Sequence, residues 1–230
     1  MTDLEKISAH FKSENSQPWI WLFFGDSITH GAAHTRGFRS FPEIFAERIR
    51  WELRLYKDLI INSGISGRSC IDLLNDDYDH LVRRHQPQVV FVLIGINDIL
   101  RYNDSGLFRQ YLTELVCRLR SERSIPVMQT CTPILKIEEH ERCMERYNKL
   151  PLYNEIIREI AEQQSTILVD HSVHWRKIAS EENLLKRLLD DDIHPGGAGH
   201  LEMAKEIFRT LNIYDADSNC ANPIGIPDSL

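Results

Sequence analysis

No run of apolar residues in this 230-residue chain approaches the length needed to cross a bilayer, so no membrane partner is expected. The opening stretch, MTDLEKISAHFKSENSQPW, lacks the apolar core of a secretory signal. Basic residues are not in excess: 27 Lys and Arg face 34 Asp and Glu, a formal net charge of −7. That balance, with no nucleic-acid motif, argues against a grip on phosphate backbones, so no nucleic-acid partner is expected. There is no C-x-x-C pair. The five cysteines (Cys70, Cys117, Cys131, Cys143, Cys220) are scattered and odd in number, which reads as reduced thiols of a cytoplasmic protein rather than a disulfide framework or zinc site. G-x-G-x-x-G, Walker and H-E-x-x-H patterns are also missing. Neither an organic cofactor nor a metal is expected; the Asp190–Asp191–Asp192 run reads as a solvated loop.

What is present is a regular alternation. Hydrophobic residues make up 42% and charged residues 27%, enough for a full core. The runs WIWLFF (19–24), LIIN (59–62), VVFVLI (89–94), PVMQTC (126–131) and TILVD (166–170) predict strands. Their near-continuous hydrophobicity suits strands covered on both faces, as in a parallel sheet. Between them lie stripes at helical spacing: Phe41, Ile44, Phe45, Ile49 and Leu53; Leu107, Phe108, Tyr111, Leu112, Leu115 and Leu119; Leu152, Ile156, Ile157 and Ile160; Leu201, Ala204, Ile207, Phe208 and Leu211. Each stripe reads as core. The segment CIDLLNDDYDHLVRRH (70–85) predicts a less regular helix. Strand–helix alternation predicts an α/β fold, a three-layer α/β/α sandwich of flavodoxin-like type with about five parallel strands. A single domain over 1–214 and an aperiodic tail over 215–230 are expected.

In such a sheet, residues just after the strands gather along one rim. Gly25-Asp26-Ser27 follows the first strand, NSGISGRS (62–69) the second, and GINDIL (95–100) the third. DDDIHPGGAGH (190–200) follows the fifth after a helical excursion. Acyl transfer needs these residue types. A serine hydroxyl is a weak nucleophile until a base takes its proton, and a carboxylate must orient that base. His194 is the candidate base, with Asp191 three residues earlier to aim it and Pro195 biasing the turn. The N–H groups of Ser27 and Gly67 and the Asn97 amide are candidate donors to a developing oxyanion. At Gly67 a side chain is expected to block close approach of the backbone.

The ordered blocks GDSITHG, NSGISG, GIND and DDIHP resemble those of the SGNH, or GDSL-type, esterase and lipase superfamily, and the resemblance spans residues 21 to 200. It implies Ser27 as nucleophile, Gly67 and Asn97 as oxyanion donors, and Asp191 and His194 as the acid/base pair. Asp26 and Asp98 match positions with supporting hydrogen-bond roles. Further implications are a small-molecule ester substrate and a homo-oligomer as an option for which the tail is a candidate. GISGRS with IGINDILR is most similar to small acetyl esterases acting on sugars, so short acyl groups, acetyl on a carbohydrate, are expected. A thioesterase or lysophospholipase with longer acyl preference is the runner-up, and a non-catalytic flavodoxin-like binding module is more remote.

A classical α/β-hydrolase elbow requires glycine two residues after the serine, where Thr29 stands. His30, Arg101 and Tyr102 are candidates for the substrate rim. His34 reads equally as a mouth residue or an ordinary loop residue.

Overall fold

The computed structural model describes residues 1–13 and 17–222. Five strands, β1 (Ile20–Gly25), β2 (Leu59–Gly64), β3 (Val89–Leu93), β4 (Ile125–Gln129) and β5 (Ile167–Val169), form one sheet in the order β2-β1-β3-β4-β5. Every neighbouring pair is parallel. The order reverses between β1 and β3, as in flavodoxin-like sheets, and ligands of such sheets sit outside the carboxyl ends at that reversal.

The alternation of side chains along β1 explains its unbroken hydrophobicity. Trp21 and Phe23 face one layer, with Phe41, Phe45, Trp175 and Phe208. Leu22 and Phe24 face the other, with Tyr78, Phe108 and Tyr153. Aromatic contacts knit the first layer to the sheet: the Phe23 ring meets Phe41 and Phe45 edge-on with centroids 5.4 and 5.3 Å away. An N-terminal helix, Asp3–Phe11, starts from a capping box in which the Glu5 N–H donates to Thr2 Oγ1 and the Thr2 N–H donates to Glu5 Oε2.

Two stripes are narrower than their spacing implies. In helix Ser105–Ser121, Leu107 is exposed, and in helix Glu141–Gln163 Leu152 is exposed while Tyr153 next to it is buried. Helical spacing defines a face only to within one residue at its margin, so these two side chains lie outside the core. The segment after β2 is broken as expected: Cys70–Asp72, a π turn over Leu73–Asp77, Tyr78–Leu81 and a 3-10 turn over Arg83–His85. In the C-terminal segment, Cys220 and Ala221 are buried against the body, and the Cys220 N–H donates to Glu52 Oε1 at 3.3 Å. Residues 223–230 of that segment lie outside the described residues. Among the described residues, no helix is long and apolar enough to cross a membrane.

Register decides what meets at the rim. Gly25 pairs with Gly64 of β2 and Leu93 of β3, so three strands end level and their following loops leave side by side. Gly25 is required by close approach: a Cβ there would lie 2.3 Å from the Leu93 carbonyl oxygen.

Candidate active site

Asp26 follows β1 and caps the short helix Ser27–His30, its Oδ1 accepting the Ile28 N–H at 3.0 Å. That turn leaves Ser27 at the helix start with its hydroxyl directed at the last loop. Ser27 Oγ is 2.9 Å from His194 Nε2, and His194 Nδ1 is 2.8 Å from Asp191 Oδ2. The loop carrying His194 is closed by an antiparallel bridge between Leu189 and Pro195, with the Asp190 N–H donating to the His194 carbonyl at 2.8 Å. Asp191 Oδ1 accepts the N–H groups of Ile193 at 2.9 Å and His194 at 2.7 Å. Burial opposes ionisation of Asp191, but the His194 side chain and these two N–H donors outweigh it and hold the carboxyl well below the usual range. A fixed anion at Nδ1 puts the imidazole proton there, leaving the Nε2 lone pair for the Ser27 hydroxyl.

The loops after β2 and β3 are tied to each other at adjacent residues. Asn97 Nδ2 donates to the Arg68 carbonyl at 3.0 Å, and the Cys70 N–H donates to Asp98 Oδ1 at 2.8 Å. Arg68 is clamped in turn by buried Asp77, Nη2 donating to Oδ1 at 3.0 Å. Between these anchors Gly67 takes φ +83°. A Cβ there would meet no protein atom within 4 Å, and the left-handed backbone itself favours glycine. Among the described residues no acceptor takes the N–H of Ser27 or of Gly67, so both remain available, together with the second amide hydrogen of Asn97.

Two buried carboxyls underlie the site. Burial pushes Asp26 up to about 6 against the Ile28 N–H and the nearby His194, and pushes Asp98 up to about 7, with the Asp26 charge adding to it. One oxygen of each, Oδ2, has no partner among the described residues.

The candidate rim residues divide. His30 is exposed, its Nδ1 3.1 Å from Ser66 Oγ. Arg101 is exposed and pairs with Asp72 at 3.4 Å. Tyr102 is not on a rim: it is buried, and its hydroxyl accepts the Ile71 N–H at 3.3 Å. Helix Asp98–Arg101 ends at this residue and turns the ring inward.

Two neighbours carried no decisive signal in the sequence. His34 stacks on His194, with centroids 3.7 Å apart and planes 2° apart. Arg146, from helix Glu141–Gln163, donates from Nε to the Ile96 carbonyl at 3.3 Å, and its charge acts on Asp26. Both come from segments without a motif, so only folding brings them here.

His34, Asp191 and His194 have ligand atoms within 4.8 Å of one another. The arrangement does not suit a metal ion, because imidazole lone pairs lie in the ring planes and parallel stacked rings cannot converge on one point. The other histidines near the acidic run are engaged elsewhere: His200 Nδ1 accepts the Phe41 N–H, His174 pairs with Glu202, and His171 with Gln129.

Comparison with known proteins agrees with the order of these parts. The sequence model of the GDSL-like lipase/acylhydrolase family matches residues 23–201, most of the chain. The chain belongs to the GDSL-like lipase/acylhydrolase family. It is thereby a carboxylic ester hydrolase by family. An acetylxylan esterase of Geobacillus stearothermophilus is 29% identical over 211 residues, covering 83% of this chain and 92% of the relative. Among solved structures, a variant of an acetyl xylan esterase from that organism has a TM-score of 0.71 at 20% identity, covering 90% of this chain and 100% of the other. An alpha/beta hydrolase enzyme from the metagenome of Lake Arreo, Spain, has a TM-score of 0.72 at 21% identity, covering 87% and 98%. These neighbours share the fold of this GDSL-like member.

Proposed function

We propose that Ser27 attacks the acyl carbon of short esters, acetyl above all, and that acetylated carbohydrates are the substrate class. The observation that carries this reading is the continuous chain Ser27 Oγ–His194 Nε2–Asp191, with the unpaired N–H groups of Ser27 and Gly67 beside it. In the proposed mechanism His194 takes the Ser27 proton as the hydroxyl attacks the carbonyl. Negative charge moving onto the carbonyl oxygen is met by the Ser27 and Gly67 N–H groups and the Asn97 amide. His194 then returns the proton to the departing alcohol oxygen. Water, activated by the same imidazole, attacks the acyl-serine and releases the acid. The machinery is carried on one domain over 1–214, with 215–230 appended.

The acetyl preference and the carbohydrate class are supported by the acetylxylan esterase relative and by the lack of any apolar insertion large enough to sheathe a long acyl chain. Five cysteines that form no disulfide support a reducing, cytoplasmic location. A series of p-nitrophenyl esters of increasing length, run beside acetylated sugars, tests the reading. Rates should fall with acyl length, acetylated sugars should be deacetylated, and Ser27→Ala should drop to background. Fastest turnover of the longest ester would point instead to the thioesterase or lysophospholipase reading. A folded Ser27→Ala protein with unchanged activity would sink the triad.

A further inference from the structure

Beside Asp191 and His194 stands a second aspartate–histidine pair of the same form. His34 Nδ1 is 3.1 Å from Asp190 Oδ2 and 3.5 Å from Asp191 Oδ2. Asp190 is held from its other side, where Arg36 Nε donates to Oδ1. The His34 ring lies flat on that of His194 at 3.7 Å. With Nδ1 facing the carboxylates, Nε2 is the nitrogen of His34 left without a partner among the described residues. The side chain keeps 32% of its surface open to solvent.

We propose that His34 is a specificity-determining residue for the alcohol side of the ester, its Nε2 hydrogen-bonding a hydroxyl on the carbon next to the one that carries the ester oxygen. The proposal rests on the ester-hydrolase reading above and adds to it the recognised group. The departing oxygen must meet His194 Nε2, which protonates it. The His34 ring lies parallel to that of His194 with centroids 3.7 Å apart, and both Nδ1 atoms face aspartates, so a second Nε2 stands beside the first for the neighbouring oxygen of a vicinal diol. The charge state of His34 does not alter the outcome: neutral, Nε2 accepts from the hydroxyl; protonated, it donates to the hydroxyl oxygen. An alkyl group in the same place satisfies neither, so an ester lacking the hydroxyl is penalised. A cavity of about 550 Å³ is lined by His34 and Asp190, with Phe38, Leu184, Lys186 and Glu202 among its other walls.

The test compares 2-hydroxyethyl acetate with propyl acetate, which have the same chain length and differ by hydroxyl for methyl. The expected result is a kcat/KM favouring the hydroxy ester in the unmodified protein. In His34→Phe, which keeps a ring on His194, that preference should fall by about tenfold, the effect of losing one hydrogen bond, so that kcat/KM drops by a larger factor on the hydroxy ester than on propyl acetate. His34→Gln, with a hydrogen-bonding end, should retain part of the preference. Equal turnover of the two esters by the unmodified protein overturns the proposal and needs no variant. So does a preference that survives in His34→Phe, or an equal loss on both esters, which would show that the ring merely props His194. Turnover of neither ester would instead overturn the ester-hydrolase reading itself.

Discussion

Asp191 holds His194 at both ends of the residue: Oδ2 receives the ring Nδ1–H at 2.8 Å, and Oδ1 receives the main-chain N–H at 2.7 Å. One carboxylate thus shapes the turn and orients the base. Asp191→Asn separates the two tasks, because an amide oxygen can still accept the Ile193 and His194 N–H groups while the anion at Nδ1 is gone. The loop should survive, and kcat on p-nitrophenyl acetate should fall by roughly 10³–10⁴-fold. The same substitution has a signature in stability. The Asp191 carboxyl is depressed in the folded state, so its contribution is present above the ordinary carboxylate range and is lost as pH falls below that range toward the depressed folded value. Thermal midpoints on acidification should therefore fall more steeply in the unmodified protein than in Asp191→Asn.

Asn97 offers one amide hydrogen to Arg68 and keeps the other free. Asn97→Ala should lower kcat by about 10²–10³-fold, the cost of one oxyanion donor, and change KM much less. Steady-state kinetics on p-nitrophenyl acetate read the split. A change confined to KM would place Asn97 in ground-state binding.

Two glycines should respond in opposite ways to the same added methyl. At Gly67 the methyl meets open space but the backbone is left-handed, a cost of about 1–2 kcal/mol for an L-residue. Relief by rotation of the peptide would move the N–H from the proposed oxyanion position, so Gly67→Ala should lose far more activity than stability. At Gly25 the methyl runs into the β3 backbone, and Gly25→Ala should cost about 3 kcal/mol or more in urea unfolding. Comparable unfolding midpoints for the two variants would contradict this account.

Asp98 titrates against the grain of the fold. Its folded pKa is raised to about 7 by burial, so between the ordinary carboxylate range and about 7 the folded state binds more protons than the unfolded. Stability contributed by the protonated form is complete at low pH and is lost as pH rises through that window. Asp98→Asn keeps an oxygen for the Cys70 N–H and has no charge to bury. Its thermal midpoint should decline less between pH 5 and 8 (roughly the span in which such a shifted carboxyl ionises) than that of the unmodified protein. Parallel slopes would show that Asp98 is already ionised in the folded state across this range, as it is in the unfolded chain.

The sheet was legible because a parallel strand buried on both faces must be apolar at nearly every position, as WIWLFF and VVFVLI are. Helix margins were not: whether Leu107 or Leu152 faces core or solvent depends on how far a neighbouring element extends, which local spacing does not encode. The meeting of Ser27, Gly67, Asn97, Asp191 and His194 along one rim followed from motif order plus the rule that such sheets place ligands at their carboxyl ends. Tyr102 was misjudged for the converse reason. Adjacency to a rim motif does not say which way a ring turns.

The linear order of residues was enough for the fold class, the strands and the motif residues, since periodicity and motif chemistry are properties of neighbours along the chain. It was silent on the stacking of His34 over His194, on the Asn97–Arg68 tie and on the left-handed backbone at Gly67. Those are distances and backbone angles between segments far apart in sequence, and they exist once level strand ends at Gly25, Gly64 and Leu93 have drawn the loops together.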